Sequence, residues 1–293
     1  MPIPFTCPHC GLKTSVAEQY AGQTGPCAGC GKPVTVPPLS GTPFAGPQKS
    51  GAGVVVAIAV GVVALLLLLA CGGFFLLIPS MGRAGGAAQR SMCTNNLKQI
   101  GLALHNYHDV YNCFPPAVIT DKDGKPMRSW RVAILPYIEQ QALYQRYNFN
   151  EPWNGPRNRL VADQVIPTYR CPSDRSPSPT ETNYVMIVGK GTIGGTPNEI
   201  VGVKDITDGT SNTILVVEVT GSGINWAEPR DLTLEEFAYR INDGSGKGIC
   251  SKHPGGAMVL VADGSVRFVS DALDPETLRR LILRNDGLPV SSF

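Results

Sequence analysis

From Val54 to Ile78 the chain reads VVVAIAVGVVALLLLLACGGFFLLI, with no charged side chain between Lys49 and Arg83. A helix of that length rises about 37 Å at 1.5 Å per residue, enough to cross a hydrocarbon core of roughly 30 Å with some tilt. It lies too far from the start of the chain for a signal peptide, whose apolar region is about 7–15 residues near the N-terminus. It also lacks the polar face of an ordinary globular helix. A single transmembrane helix is therefore expected over residues 54–79. Beyond it, Cys93, Leu97, Ile100, Gly101, Leu104 and His108 recur at spacings of three and four. That period predicts a long helix continuing outward, with a bend near Pro79. Ser129 to Tyr147 predicts a second helix, bent or broken at Pro136.

The pattern then changes to short apolar, β-branched runs between Gly, Asn, Asp and Pro clusters. Tyr184–Val188, Ile214–Val219, Ala257–Val261 and Val266–Val269 are the expected strands. A closing helix is marked by Asp274 as N-cap, Pro275 as first helical residue, a Leu278, Leu281, Ile282 stripe, and Gly287 past its end. Helices early and antiparallel strands later define an α+β domain over residues 80–293. On the other side of the apolar run, residues 37–53 are rich in Pro, Gly and Ser and read as a flexible linker.

Composition sharpens this division. The chain has 25 basic and 23 acidic residues, and only Lys13, Glu18, Lys32 and Lys49 precede the apolar run. The remainder is balanced to zero, leaving no electrostatic footprint for nucleic acid. Cys7-Pro8-His9-Cys10 and Cys27-Ala28-Gly29-Cys30 form two CxxC pairs at a spacing suited to one tetrahedral zinc. Residues 1–36 thus read as a small zinc ribbon, with Cys7, Cys10, Cys27 and Cys30 as ligands and one structural Zn as cofactor. Four closed ligands leave no position for catalysis. Thiolates that must hold zinc are best kept in a reducing compartment. This places the N-terminus in the cytoplasm and the C-terminal domain outside the cytoplasmic membrane. Cys93, Cys113, Cys171 and Cys250 would then meet an oxidising space; three pairings are open, and Cys93–Cys113 is attractive because it closes the helix end against the next loop.

Several blocks carry a more specific resemblance. CTNNLKQIGLALHNYHDVYNCFPPA (Cys93–Ala117), SWRVAILPYIEQQALYQRYN, RCPSD (Arg170–Asp174), TNYV (Thr182–Val185) and DGTSNTILVVE (Asp208–Glu218) resemble a large bacterial pilin-like family of unknown function, abundant in planctomycete-type bacteria. HPGGAMVLVADGSVRFV (His253–Val269) is similar to its H-x9-DG signature: His253, nine residues, then Asp263-Gly264. The resemblance implies a long N-terminal helix packed on an antiparallel sheet and displayed outside the membrane. It implies no activity. Family members usually begin with a prepilin leader, with a Gly-Phe pair for cleavage and methylation and a Glu five residues into the mature helix. Here a ribbon precedes the span and the span contains no Glu, which argues against peptidase processing and filament formation.

No catalytic constellation emerges, and an enzyme is not expected. The G-x-G-x-x-G string at Gly189–Gly194 leads into Gly195-Thr196-Pro197-Asn198 rather than a helix, so no nucleotide site is expected. His105, His108 and Asp109 could share a helix face as metal ligands, but packing against the sheet is the plainer expectation. Asp205, Asp208 and Asn212 lack a full calcium-loop pattern and read as turn residues. Neither Ser211 nor Ser265 lies in a nucleophile elbow. Asp263-Gly264 between two apolar runs is a hairpin signal, with both residues able to take positive φ. A strand of six residues spans roughly 20 Å, so His253 before it and Asp263 after it are expected to be architectural rather than a catalytic pair. The functional expectation is a bitopic membrane protein with an extracytoplasmic pilin-like binding or assembly domain and a cytoplasmic ribbon for protein partners. The alternatives are an extracytoplasmic hydrolase using His253, or a solute-binding receptor signalling through the ribbon.

Overall fold

The computed structural model describes residues 2–39 and 85–290. The chain divides into two units, Met1–Gly73 and Phe74–Phe293. In the first, β1 (Ile3–Thr6) pairs antiparallel with β2 (Lys13–Val16), and β3 (Thr24–Pro26) with β4 (Pro33–Thr35). Each hairpin closes on a CxxC turn. Cys7 N–H donates to Leu12 O at 2.9 Å and Gly11 N–H to Cys7 O at 3.0 Å; Cys27 and Gly31 repeat this with Lys32 and Cys27. Gly11 and Gly31 take φ of 69° and 71°, a left-handed conformation that glycine adopts without penalty.

The second unit is a mixed α+β structure built on a long helix and antiparallel sheets. Helix α1 covers residues 85–111. Its Cys93, Leu97, Ile100, Ala103 and Leu104 are buried, as the spacing requires, while Leu102 and Val110 on the opposite side are exposed. Asn112 ends it in the left-handed region (φ 58°), a common helix C-terminal device. The main sheet comprises β7 (Tyr184–Val185), β9 (Ile214–Glu218), β11 (Gly256–Val261) and β12 (Val266–Ser270) in the order β12-β11-β9-β7, all antiparallel. Successive side chains of a strand point to opposite faces. Met258 and Leu260 accordingly join the core that contains Leu97, Ile100 and Leu104 of α1. Ala257, Val259 and Val261 join a second core with Leu278, Leu281 and Ile282 of the C-terminal helix α5 (Pro275–Ile282). Covered on both faces, β9 and β11 are buried throughout, which is why they read as continuous apolar runs. Asp274 caps α5 as expected, its carboxylate accepting from Thr277 N–H at 2.9 Å.

Two expectations are corrected and one is narrowed. Ser129–Tyr147 is broken around Pro136 rather than bent. Ser129 caps α2 (Trp130–Ala133), a 3-10 turn carries Pro136, Glu139 turns left-handed at φ 62°, and α3 (Gln141–Arg146) restarts. The run Tyr184–Val188 is split at Met186, whose N–H donates to the Asp231 carboxylate at 2.8 Å. The second half, β8 (Ile187–Val188), then pairs in parallel with β10 (Leu232–Thr233), so the strands are not all antiparallel. A hairpin of β5 (Val118–Thr120) with β6 (Pro126–Ser129) and helix α4 (Pro156–Ala162) were not foreseen. Among the described residues no helix is long and apolar enough to cross a membrane. The span expected at 54–79 lies outside the described residues, as does the linker from residue 40 onward.

Candidate functional site

Two clusters of chemically capable side chains stand out, one in each unit. In the first unit, the Cys7, Cys10, Cys27 and Cys30 sulfurs all lie within 4.8 Å of one another, close enough to hold a metal ion. Cys7 Sγ is 3.9 Å from Cys30 Sγ, and Cys10 Sγ 3.8 Å from Cys27 Sγ. Tetrahedral Zn–S bonds of about 2.3 Å give sulfur–sulfur edges of about 3.8 Å, so the donor set fits one zinc. Backbone N–H groups of His9 and Gly29 point at Cys7 Sγ and Cys27 Sγ, at 3.4 and 3.5 Å. The N–H groups of Gly29 and Cys30 draw the Cys27 thiol down to about 7. Leu12 N–H acts the same way on Cys10, but the thiols of Cys7, Cys30 and Cys27 outweigh it and hold Cys10 at about 12. Without an ion the four thiols cannot all ionise together; binding one would displace their protons. His9 is exposed and outside the cluster.

In the second unit, Cys93 of α1 forms a disulfide with Cys171. This corrects the Cys93–Cys113 pairing; Cys113 and Cys250 are free thiols. Cys171 is presented by the loop after a 3-10 turn, and Asn183 Oδ1 fixes it by accepting its N–H at 2.8 Å. His253 packs beside the bond. Its Nε2 is 3.5 Å from Cys171 Sγ and 3.6 Å from Glu218 Oε1, and its Nδ1 is 3.5 Å from Ser173 Oγ. His253 is 4% exposed and Glu218, at the end of β9, is fully buried. Burial pushes the Glu218 carboxyl up to about 7, against the Met258 N–H that donates to Oε2 at 3.0 Å. Burial also lowers His253, assisted by the charge of Arg90. Both groups are driven toward neutrality, so their approach is a polar contact rather than a strong ion pair. Arg90 of α1 lies over the Phe268 ring at 4.2 Å and donates to Pro254 O at 3.1 Å, tying the segment next to His253 to the long helix.

His253 and Asp263 are not brought together. The segment carrying His253 enters β11, and Asp263 follows the far end of that strand. Asp263 Oδ1 accepts Ser265 N–H at 2.8 Å within its own turn. Gly264 N–H donates to Val261 O and Val261 N–H to Ser265 O, enclosing a three-residue loop. Of Asp263 and Gly264, both able to take positive φ, Gly264 does so (84°) and Asp263 does not. The loop is a type I turn followed by a left-handed glycine, not a two-residue turn.

The remaining candidates resolve into packing and turns. In Gly189–Gly194, Thr192 Oγ1 donates to Ile187 O at 2.7 Å and Gly189 N–H to Gly195 O at 2.9 Å, and no helix follows. His105 and His108 both pack against Phe114, and His108 Nε2 accepts Val203 N–H at 3.2 Å. Asp205 accepts Gly202 N–H, and Asp208 accepts Asp286 and Gly287 N–H, as turn residues do. Ser211 is exposed on a 3-10 turn, and Ser265 Oγ is buried without a partner.

Sequence reasoning missed Glu218 and a buried pair, Arg131 and Asp231, and left Cys171 as one of three open partners for Cys93. Glu218 ends an apolar run, where an acid with no visible partner is the available signal. Arg131 sits inside the apolar stretch Trp130–Leu135, equally a buried charge in plain view.

A long helix and a four-stranded sheet, with a disulfide, a histidine and a carboxylate buried among them, define an α+β domain with its chemistry kept in the interior. The chain belongs to the family described as proteins of unknown function (DUF1559), which matches residues 83–276. No curated protein and no solved structure matches it.

Proposed function

We propose that the chain is a single-pass membrane protein of the H-x9-DG pilin-like kind, with a cytoplasmic zinc ribbon and an extracytoplasmic binding or assembly domain. The observation that carries this is the contrast in cysteine state across the apolar run. Before it, four thiols are gathered at metal-binding distances; after it, Cys93 and Cys171 are joined. Disulfides persist in oxidising spaces and zinc thiolates in reducing ones, so a membrane at residues 54–79 accounts for both. The long helix laid on an antiparallel sheet supports the pilin-like reading. The burial of His253 supports an architectural role over the hydrolase alternative, because a general base must reach its substrate.

Topology is tested on intact cells carrying the full chain. A membrane-impermeant thiol reagent should label the free, partly exposed Cys113 and Cys250 and spare Cys7, Cys10, Cys27 and Cys30. Added protease should digest the C-terminal domain and leave the ribbon. Labelling of both sets, or of neither, overturns the proposal.

A further inference from the structure

We infer that Cys93, Cys171, His253 and Glu218 form a second, redox-gated metal site, open to a zinc-class divalent ion when the disulfide is reduced. One donor atom from each of these four buried residues lies within 4.8 Å of the other three. The set, two sulfurs, one imidazole nitrogen and one carboxylate oxygen, is the mixed donor chemistry that zinc accepts.

The spacing agrees with coordination. Zn–S of about 2.3 Å and Zn–N of about 2.05 Å give a tetrahedral S···N edge of about 3.6 Å; Cys171 Sγ to His253 Nε2 is 3.5 Å. Zn–N and Zn–O bonds of about 2.1 Å give an N···O edge of about 3.4 Å; His253 Nε2 to Glu218 Oε1 is 3.6 Å. The sulfur–sulfur edge must open, by side-chain rotation after reduction.

The surroundings orient the donors as second partners do around a metal. Ser173 Oγ faces His253 Nδ1, so a proton held there leaves the Nε2 lone pair aimed into the cluster. Met258 N–H occupies Glu218 Oε2, leaving Oε1 free. Glu218 Oε1 is buried without any hydrogen-bond partner. Such an orphaned oxygen is rare in a folded interior, and a bound cation would satisfy it. Arg90, anchored on Pro254 O, places a positive charge near a site that would hold two thiolates and a carboxylate around one dication.

The redox step is a two-electron exchange. A dithiol reductant supplies two electrons and two protons to the Cys93–Cys171 bond, leaving two thiols, and itself becomes a disulfide. Binding the ion then releases both thiol protons. Disulfide and metal are thus alternative occupants of one interior space, and the inference does not depend on membrane topology.

The test uses the detergent-solubilised full chain with its ribbon already zinc-loaded. The oxidised chain should hold one zinc. Anaerobic reduction with a dithiol, its removal, and titration with Co(II) alone should add one further equivalent. That equivalent should show the visible bands of a tetrahedral ion and weaker sulfur-to-metal charge transfer than a four-thiolate site. His253→Ala and Glu218→Gln should each weaken the added equivalent at least tenfold, and Cys93→Ser should abolish it, while the ribbon's zinc stays as internal control. If reduction loosens the fold, near-UV dichroism should return on adding the ion; failure to return overturns the inference. So does a reduced wild-type chain that binds no further ion, or an added equivalent that instead disappears with Cys113→Ser or Cys250→Ser. Because the wild-type stoichiometry and spectrum decide the matter, a variant that fails to fold does not rescue it.

Discussion

The guanidinium of Arg131 lies 2.7 Å from Oδ1 of Asp231, and neither side chain has any exposed surface. Arg131 also donates to the carbonyls of Trp226, Tyr184, Glu228 and Arg230. Asp231 Oδ1 accepts in addition from Trp130 Nε1 and Met186 N–H. One ion pair therefore joins α2, the break between β7 and β8, and the loop before β10. Removing one partner strands a buried charge, a loss of about 3–5 kcal/mol. Arg131→Met and Asp231→Leu should each fall in that range by urea unfolding of the full chain. Arg131→Lys should rescue little, because an ammonium cannot span the same carbonyls. Losses under about 1 kcal/mol would show that the pair is not the keystone of this region.

The disulfide gives a second expectation. Cys93 and Cys171 are 78 residues apart, and closing a loop of that length constrains the unfolded chain by about 4.5 kcal/mol in the entropic description. The double variant Cys93→Ser/Cys171→Ser should lose about 2–5 kcal/mol without added metal. Cys113→Ser should change stability by less than about 1 kcal/mol. Non-reducing peptide mapping should recover the Cys93–Cys171 pair; recovery of Cys93–Cys113 would refute the arrangement.

What could be read from the sequence was whatever depends on local period and local chemistry. The face of α1, the strands β9, β11 and β12, the Asp274 cap and the two CxxC knuckles all announce themselves within a few residues. What escaped depends on partners far along the chain. Cys171 meets Cys93 and His253 only after the loops fold back. Met186 leaves its strand because Asp231 competes for its N–H across 45 residues. Asp263 was assigned correctly to a turn, but the turn type follows from how Leu260 and Val266 pair, which no dipeptide fixes.

Between His253 and Val269, the costs of substitution should follow backbone geometry. A Cβ on Gly256 would stand 2.1 Å from Val269 O, across the β11–β12 pairing. Gly256→Ala should therefore cost about 2 kcal/mol or more and lower the melting temperature. Gly264→Ala should cost about 1–2 kcal/mol, because its φ is left-handed. Asp263→Asn should be nearly neutral, since an amide oxygen can still accept Ser265 N–H. An Asp263→Asn variant less stable than Gly256→Ala would contradict this ordering.

Acid sensitivity should come in part from Glu199. Its carboxylate accepts from Thr196 N–H and is held 2.7 Å from Arg284 Nη2. These contacts, the Thr196 N–H first, lower it from an ordinary value of 4.5. A depressed acid contributes stability above its unfolded value, and that contribution is lost as pH falls through the folded one. Glu199→Gln should cost about 1 kcal/mol at pH 7 and progressively less below about pH 4.5. Wild-type and variant unfolding curves should converge in acid; a constant difference down to pH 2 would place the effect in packing rather than charge.

Metal removal should unfold the ribbon while sparing the second unit. The first unit has two short hairpins, and its buried hydrophobic residues among those described are Cys7, Cys27 and Val36. So small an apolar interior cannot offset the ordering of nearly forty residues, at about 1–2 kcal/mol each for the backbone alone. One ion held by the four thiolates would supply the difference, as in other small metal-dependent folds. On the full chain, a strong chelator should release one zinc and expose four rapidly alkylated thiols at Cys7, Cys10, Cys27 and Cys30. The β1–β2 and β3–β4 amides should lose exchange protection together, while those of β9 and β11 keep theirs. Cys27→Ser should prevent tight zinc binding even when the ion is in excess. Retention of ribbon protection after complete chelation would show that the hairpins hold without a metal and would remove the structural role assigned to it.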